Sequence, residues 1–233
     1  MRIDLPIVGY RMLSLSDYPN CLAATVTVPG CNFRCPFCTK TDLVHHYTPM
    51  EKTAPQELLN ALWPRLGFLD AVTVTGGEPL LHRALPSFLR VLKYRGYKTK
   101  LDTNASKPIM LRYLLEKKLV DFYSVRLIAP LHRYTEVTRY KIKPETMTES
   151  IRLIRRSDAT HEFRFTPVPG VHDMNDVQNI ASTLAGSRRL VLEAFDAAHC
   201  EDQEYRVISP YSKKEMENFR DLAAPYFAEV VIE

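Results

Sequence analysis

Glycine is scarce in this chain, at 8 of 233 residues. Low-complexity runs are absent, so nothing in the composition reads as fibrous or disordered. No apolar run reaches the ~18 residues of a membrane-spanning helix. The first residues, Met1-Arg2-Ile3-Asp4-Leu5-Pro6, lack the apolar core of an export signal. A soluble, cytoplasmic protein without a membrane partner is expected. Lysine and arginine form no block of the kind that marks a basic tail. With 31 Lys+Arg against 27 Asp+Glu, the net charge is only +4. Such a balance suits an anionic ligand but does not point to nucleic acid, and no nucleic-acid partner is expected.

The rest is ordinary globular composition, 45% apolar and 25% charged. That is enough for one sizeable core, read here as a single domain over residues 1–233. The densest basic stretches, Arg90 to Lys100 and Lys117–Lys118, read as solvated helix faces. Five cysteines are an odd number, and three of them, Cys31, Cys35 and Cys38, share one short segment. Without an export signal this favours metal binding over disulfides.

Short β-rich runs alternate with longer helical ones. Strands are expected at Cys21 to Val28, Ala71 to Thr75, Thr99 to Asp102, Phe122 to Leu127, Glu162 to Val168, Leu190 to Phe195 and Glu229 to Ile232. Helices are expected at Pro55 to Phe68, with Thr53 as N-cap, then at Leu85 to Tyr97, Met110 to Lys118, Pro144 to Arg156 and Asp176 to Ala185. A last helix, Ser212 to Leu222, has Ser212 as its cap. This alternation implies an α/β fold with a parallel sheet and helices outside it. Ligands bind such sheets beyond the carboxyl ends of the strands. The segments Cys31–Cys38, Gly76–Pro79, Asp102–Ser106 and Pro169–Asp173 should therefore converge on one rim.

Cys31-Asn32-Phe33-Arg34-Cys35-Pro36-Phe37-Cys38 has the spacing C-x3-C-x2-C and directly follows the first expected strand. Three thiolates in one loop can face a single [4Fe–4S] cubane and leave its fourth iron open to another ligand. Phe33 and Phe37 can shield such a cluster. The alternative is a Cys3His zinc site completed by His45 or His46. Cys21 reads as strand core, and Cys200 has no assignment.

The C-x3-C-x2-C loop, with aromatic Phe37 before its last cysteine, resembles the signature of the radical S-adenosylmethionine superfamily. Gly76-Gly77-Glu78-Pro79 after the second strand resembles that superfamily's GGEP motif. The resemblance implies a partial (β/α)6 barrel, a [4Fe–4S] cluster on Cys31, Cys35 and Cys38, and reductive cleavage of S-adenosylmethionine to a 5′-deoxyadenosyl radical. A wider likeness runs through Leu13 to Pro19, Leu101-Asp102-Thr103-Asn104 and Pro167-Val168-Pro169-Gly170. It points to the activating enzymes of glycyl-radical enzymes, those of anaerobic ribonucleoside-triphosphate reductase in particular. Such a protein would have a glycyl-radical enzyme as partner and a flavodoxin- or ferredoxin-type protein as reductant.

By the same resemblance, the backbone of Gly76, Gly77, Glu78 and Pro79 and the Glu78 carboxylate should hold the amino group of the methionine moiety. Asp102, Thr103 and Asn104, ending the third strand, should face the same pocket. Arg164 is either a further cofactor contact or the partner of a carboxylate. The chain departs from the activase pattern at one place. Ala129-Pro130-Leu131 is present, but the usual Asp-x-Lys before it is replaced by Arg126 and Ile128. The family aspartate helps form a cation site, and the family lysine lies near the methionine carboxylate. The Arg126 guanidinium is expected to replace both the cation and the lysine charge, bridging Asp102 and that carboxylate.

Two other readings stand beside the activase. One is a radical enzyme acting on a small molecule or modified nucleoside, in the manner of deazapurine biosynthesis. The other is a binding protein that carries zinc or a cluster without catalysis. A catalytic role is open for His45 and His46, and a place at the site mouth is open for Tyr10, Tyr18 and Tyr47.

Overall fold

The computed structural model describes residues 3–45 and 50–233. His46 and Tyr47 lie outside the described residues. The strands are β1 (Gly9–Ser14), β2 (Ala23–Val28), β3 (Ala71–Gly76), β4 (Lys98–Thr103), β5 (Phe122–Leu127), β6 (Thr160–Phe165), β7 (Ser187–Leu192) and β8 (Phe227–Ile232). They form one sheet in the order β1 to β8. β1 pairs antiparallel to β2, and every later pair is parallel. Among the described residues β8 does not pair back to β1, so the sheet is open rather than a closed barrel. This is the parallel α/β sheet expected from the alternation and the partial barrel implied by the resemblance, with β1 added at one edge.

The helices are α1 (Thr41–Val44), α2 (Pro55–Leu62), α3 (Leu85–Tyr94), α4 (Pro108–Glu116), α5 (Tyr134–Thr138), α6 (Pro144–Arg156), α7 (Met174–Thr183) and α8 (Lys213–Ala223). Alternate strand residues Val72, Val74, Leu101, Val125, Leu127, Phe163, Phe165, Leu190 and Leu192 are buried in the main core. That core also takes Phe88 and Leu92 of α3, Leu111 and Leu114 of α4, Ile151 and Ile154 of α6, and Phe219 of α8. Successive strand side chains point to opposite faces. The positions between these apolar residues therefore line the concave side, and they are polar except for Val191 of β7. Register aligns Thr25 with Thr73 and Lys100, Asp102 with Ser124 and Glu162, and Arg126 with Arg164. The apolar side of the sheet holds the helices, and the polar side leaves a lumen lined with hydroxyls and charges.

Several local expectations are corrected. Thr53 does not cap α2. Ala54 is the N-cap, with Pro55 starting the helix, and Thr53 instead bridges to Ile7. α7 begins earlier than expected, because Asp173 caps it and Asp176 closes a reciprocal capping box from its first turn. Ser212 caps α8 as expected, in a box with Glu215. Cys21 precedes β2 and packs half-buried beside a small cluster of Tyr18, Ala23, Ala71 and Phe122. Ala23, Ala71 and Phe122 open their strands. Tyr18 therefore sits at the amino end of the barrel and does not line the mouth. Tyr10 is an exposed residue of β1.

Candidate active site

Parallel strands put the loops that follow them at one rim, and there the cysteine loop meets the GGEP turn. Gly77 N donates to Val28 O at 3.0 Å, and Glu78 N donates to Gly30 O at 2.7 Å. A Cβ on Gly76 would lie 2.0 Å from Val28 O, and one on Gly77 would lie 2.0 Å from Gly30 O. Both glycines are thus required by the neighbouring backbone. Gly76 is doubly constrained, since its φ is +130°. The turn clamps the segment from which the cysteine loop springs.

Cys35 is buried, and Cys31 and Cys38 are half-buried. Burial pushes the Cys31 thiol up to about 11 and also raises Cys35 and Cys38, with the nearby thiols adding to the rise at Cys35. Three such thiols lose their protons to a metal that binds them as thiolates. Amide donors already point at two of the sulfurs. Phe33 N lies 3.4 Å from Cys31 Sγ, Lys40 N lies 3.4 Å from Cys38 Sγ, and Asn104 Nδ2 lies 3.8 Å from Cys31 Sγ. Phe33 packs on Tyr134 and Tyr140, and Phe37 packs on His172 and Tyr205. Thiol donors, N–H···S contacts and an aromatic wall are what an iron–sulfur cluster requires, so these residues fit one. Among the described residues, no three His, Cys, Asp or Glu side chains are gathered as the ligands of a single ion would be. His45, which closes α1, pairs with Glu201 at 3.5 Å.

The chain after β7 supports this loop from outside. Glu201 N donates to Cys38 O and Asp202 N to Pro36 O, each at 2.9 Å. Cys200 is fully buried, with its thiol 3.6 Å from Phe37 O. Cys200 thus has a place, as filling behind Phe37.

Glu78 lies inside the GGEP turn and is engaged by the chain's own donors. It is 0% exposed. Its Oε1 accepts from Thr103 Oγ1 at 2.6 Å and from Leu80 N at 2.9 Å, and its Oε2 accepts from Asn104 N at 2.6 Å. The carboxylate is enclosed by the protein's own donors and braces the GGEP turn against the end of β4. Burial pushes it up to about 7 despite those three donors. Thr103 is occupied in the same brace and also accepts from Ala105 N. Asn104 faces the cysteine loop, with Asn32 as well as Cys31. Asp102 turns to the lumen, 2.9 Å from Lys100 Nζ.

Arg126 does not reach Asp102. Its guanidinium makes a two-pronged pair with Glu193, one N–H at 2.9 Å from Oε1 and the other on Oε2, and it also reaches Thr166. Arg164 is held by Glu193 at 2.7 Å, by Glu162 at 3.0 Å and by Glu233. Of the two roles left open for Arg164, the structure shows the ion pair. Burial alone would raise the Glu193 carboxyl, but the charges and donors of Arg126 and Arg164 outweigh it and hold it at about 2. Arg189 continues the ladder to Glu229 at 2.9 Å. Lys40, Thr75, Lys100 and Glu193 also reach this rim or lumen without a motif to mark them, and Lys100, expected on a solvated helix face, is instead buried in β4. For Glu193 a positional signal was present, since it directly follows β7 as Asn104 follows β4.

An open barrel of parallel strands with a three-thiol loop at its carboxyl rim defines an enzyme built around an iron–sulfur cofactor. The Radical SAM superfamily model matches residues 25–184, and the chain belongs to that superfamily. Members use a [4Fe–4S] cluster and S-adenosylmethionine. A Methanocaldococcus jannaschii protein, provisionally named a glycyl-radical enzyme activating enzyme, is 27% identical over 232 residues, covering 97% of this chain and 95% of its own. The 7-carboxy-7-deazaguanine synthase of Aquifex aeolicus is 31% identical over 81 residues, 35% of each chain. Streptococcus suis SuiB bound to S-adenosylmethionine shares the fold with a TM-score of 0.66 at 14% identity, over 90% of this chain and 51% of SuiB. No helix among the described residues is long and apolar enough to cross a membrane.

Proposed function

We propose that this chain cleaves S-adenosylmethionine reductively at a [4Fe–4S] cluster on Cys31, Cys35 and Cys38, and thereby installs a radical on a glycine of a partner enzyme such as anaerobic ribonucleotide reductase. The observation that carries the glycyl-radical part is the near end-to-end likeness to the M. jannaschii protein, over 97% of this chain. The deazaguanine synthase likeness stops at 35%. The lumen adds support. Arg126, Arg164 and Arg189 are matched with Glu162, Glu193, Glu229 and Glu233, so they are not free to receive an anionic nucleotide.

When bound, the cluster supplies an electron that splits the sulfonium into methionine and a 5′-deoxyadenosyl radical. The chain's own residues hold and shield. Phe33 and Phe37 keep water from the thiols, Asn104 donates to Cys31, and the Glu78 brace fixes the GGEP turn beside them. The electron donor is assigned as a flavodoxin- or ferredoxin-type protein.

The test uses anaerobically reconstituted protein, dithionite and S-adenosylmethionine, with Cys31→Ala, Cys35→Ala and Cys38→Ala as controls. Each control should lose iron and 5′-deoxyadenosine release, while Cys21→Ala keeps both. A reductase bearing a C-terminal glycyl motif should then acquire a glycyl-radical electron paramagnetic resonance signal. If 5′-deoxyadenosine forms only with a small-molecule substrate and the reductase stays silent, the activase reading fails and the small-molecule reading replaces it.

A further inference from the structure

Among the described residues, Arg34 in the cysteine loop is turned onto the carbonyls of Cys31 and Phe33, and four further cations stand on the lumen side beside that loop. Three are matched. Arg126 is paired with Glu193, Arg164 with Glu162, Glu193 and Glu233, and Lys100 with Asp102 at 2.9 Å. Lys40 is the fourth. Its Nζ lies 3.4 Å from Thr75 Oγ1, and among the described residues no carboxylate stands within salt-bridge distance of it. Its side chain is exposed at the rim, with the ammonium resting on Thr75 at the end of β3.

Its anchorage at both ends is informative. The Lys40 backbone N–H points at Cys38 Sγ, 3.4 Å away, and the far end of the side chain rests on Thr75, the residue before Gly76. The side chain therefore spans from the thiols to the foot of the GGEP turn. A ligand lying between those two features meets an ammonium whose partner so far is one hydroxyl. That exposed ammonium, held on Thr75, can receive an anion of carboxylate size.

We propose that Lys40 binds the carboxylate of the methionine moiety of S-adenosylmethionine, the role that the sequence had assigned to Arg126. The inference rests on the cluster and cofactor reading above. The ligand's carboxylate takes the place of the Thr75 hydroxyl as acceptor, while Asp102 across the lumen keeps the local charge in balance. Arg126 stays with Glu193 throughout.

The experiment is a binding cycle on cluster-loaded protein. S-adenosylmethionine and its decarboxylated analogue are titrated by anaerobic equilibrium dialysis into wild type, Lys40→Met and Lys40→Arg, each checked for iron content. Loss of a charge-assisted hydrogen bond predicts about 10- to 100-fold weaker S-adenosylmethionine binding in Lys40→Met. The analogue should bind Lys40→Met and wild type alike, and Lys40→Arg should recover most of the loss. Equal weakening of both ligands, or of neither, overturns the proposal. Where Lys40→Met does not hold its cluster, wild type alone decides. Saturating S-adenosylmethionine should protect Lys40 from reductive methylation read by mass spectrometry, and the saturating analogue should not. Equal protection by both overturns the proposal. Failure of wild type to bind S-adenosylmethionine at all would instead overturn the function on which the proposal rests.

Discussion

Thr103 Oγ1 donates to Glu78 Oε1 across 2.6 Å, and through this bond the end of β4 is tied to the GGEP turn. With Leu80 N and Asn104 N, it makes three donors converging on one buried carboxylate. Burial raises Glu78 from 4.5 to about 7. The folded chain thus holds this proton more tightly than the unfolded one. The stability it contributes is full below about pH 4.5 and is lost as pH rises through about 7. Glu78→Gln removes that dependence. In urea unfolding between about pH 5 and pH 8, the wild-type-minus-variant difference should fall by up to about 3 kcal/mol. A difference that stays level across this window would refute the account.

Gly77 has no room for a side chain, because its Cβ would lie 2.0 Å from Gly30 O. Backbone cannot yield as a flexible side-chain tip does, so Gly77→Ala must part the turn from the segment leading to Cys31. The expected cost is about 3 kcal/mol or more, at the upper end of point substitutions. Gly170→Ala is the control for a glycine with open space around it, although its φ of +79° carries a smaller strain of its own. A Gly77→Ala protein with the wild-type urea midpoint and a full complement of iron would contradict the clamp.

The lumen ladder separates two arginines that looked alike in the sequence. Arg164 is 17% exposed and serves three carboxylates, whereas Arg126 is 44% exposed and shares Glu193 with Arg164. Arg164→Ala takes from the buried Glu162 its nearest cation, leaving it the Ser124 hydroxyl and Arg189 at 3.5 Å, and leaves Glu193 to Arg126 alone, at an expected cost of about 3 kcal/mol. Arg126→Ala leaves Glu193 still paired and partly hydrated, and should cost about 1 kcal/mol or less. Chemical denaturation of the two variants checks the order, and a reversed order would show that the ladder is not load-sharing as drawn.

Much of this was legible in the sequence, for local reasons. Parallel strands buried on one face by helices read as compact β-rich runs, and the cysteine loop and GGEP turn are contiguous motifs. β1 escaped notice because GYRMLS is an edge strand with mixed exposure and no clean apolar alternation. Its place depends on pairing with β2. The partner of Arg126 escaped for a similar reason. Glu193 is 67 positions away, and only the order of β5, β6 and β7 brings the two together. The donors that enclose Glu78 were not legible either, since a motif shows which residues occur and not what surrounds them.

Asn104 offers a test of the cluster site that does not depend on turnover. Its side-chain N–H is 3.8 Å from Cys31 Sγ, while its Oδ1 accepts from Ser106 N at 2.9 Å, which fixes the amide's orientation. A donor aimed at a cluster thiolate stabilises the more negative, reduced state. Asn104→Leu removes the donor while keeping similar bulk. At about 0.5–1.5 kcal/mol for one hydrogen bond, the midpoint potential should fall by ~20–60 mV. Asn104→Ser, shorter but still a donor, should show a smaller fall if its hydroxyl reaches the sulfur through a water. Spectroelectrochemical titration of the reconstituted proteins measures this directly. An unchanged potential in Asn104→Leu, with iron content intact, would mean that the amide serves only to pin Asn32 and Ser106, and that the cluster does not feel it.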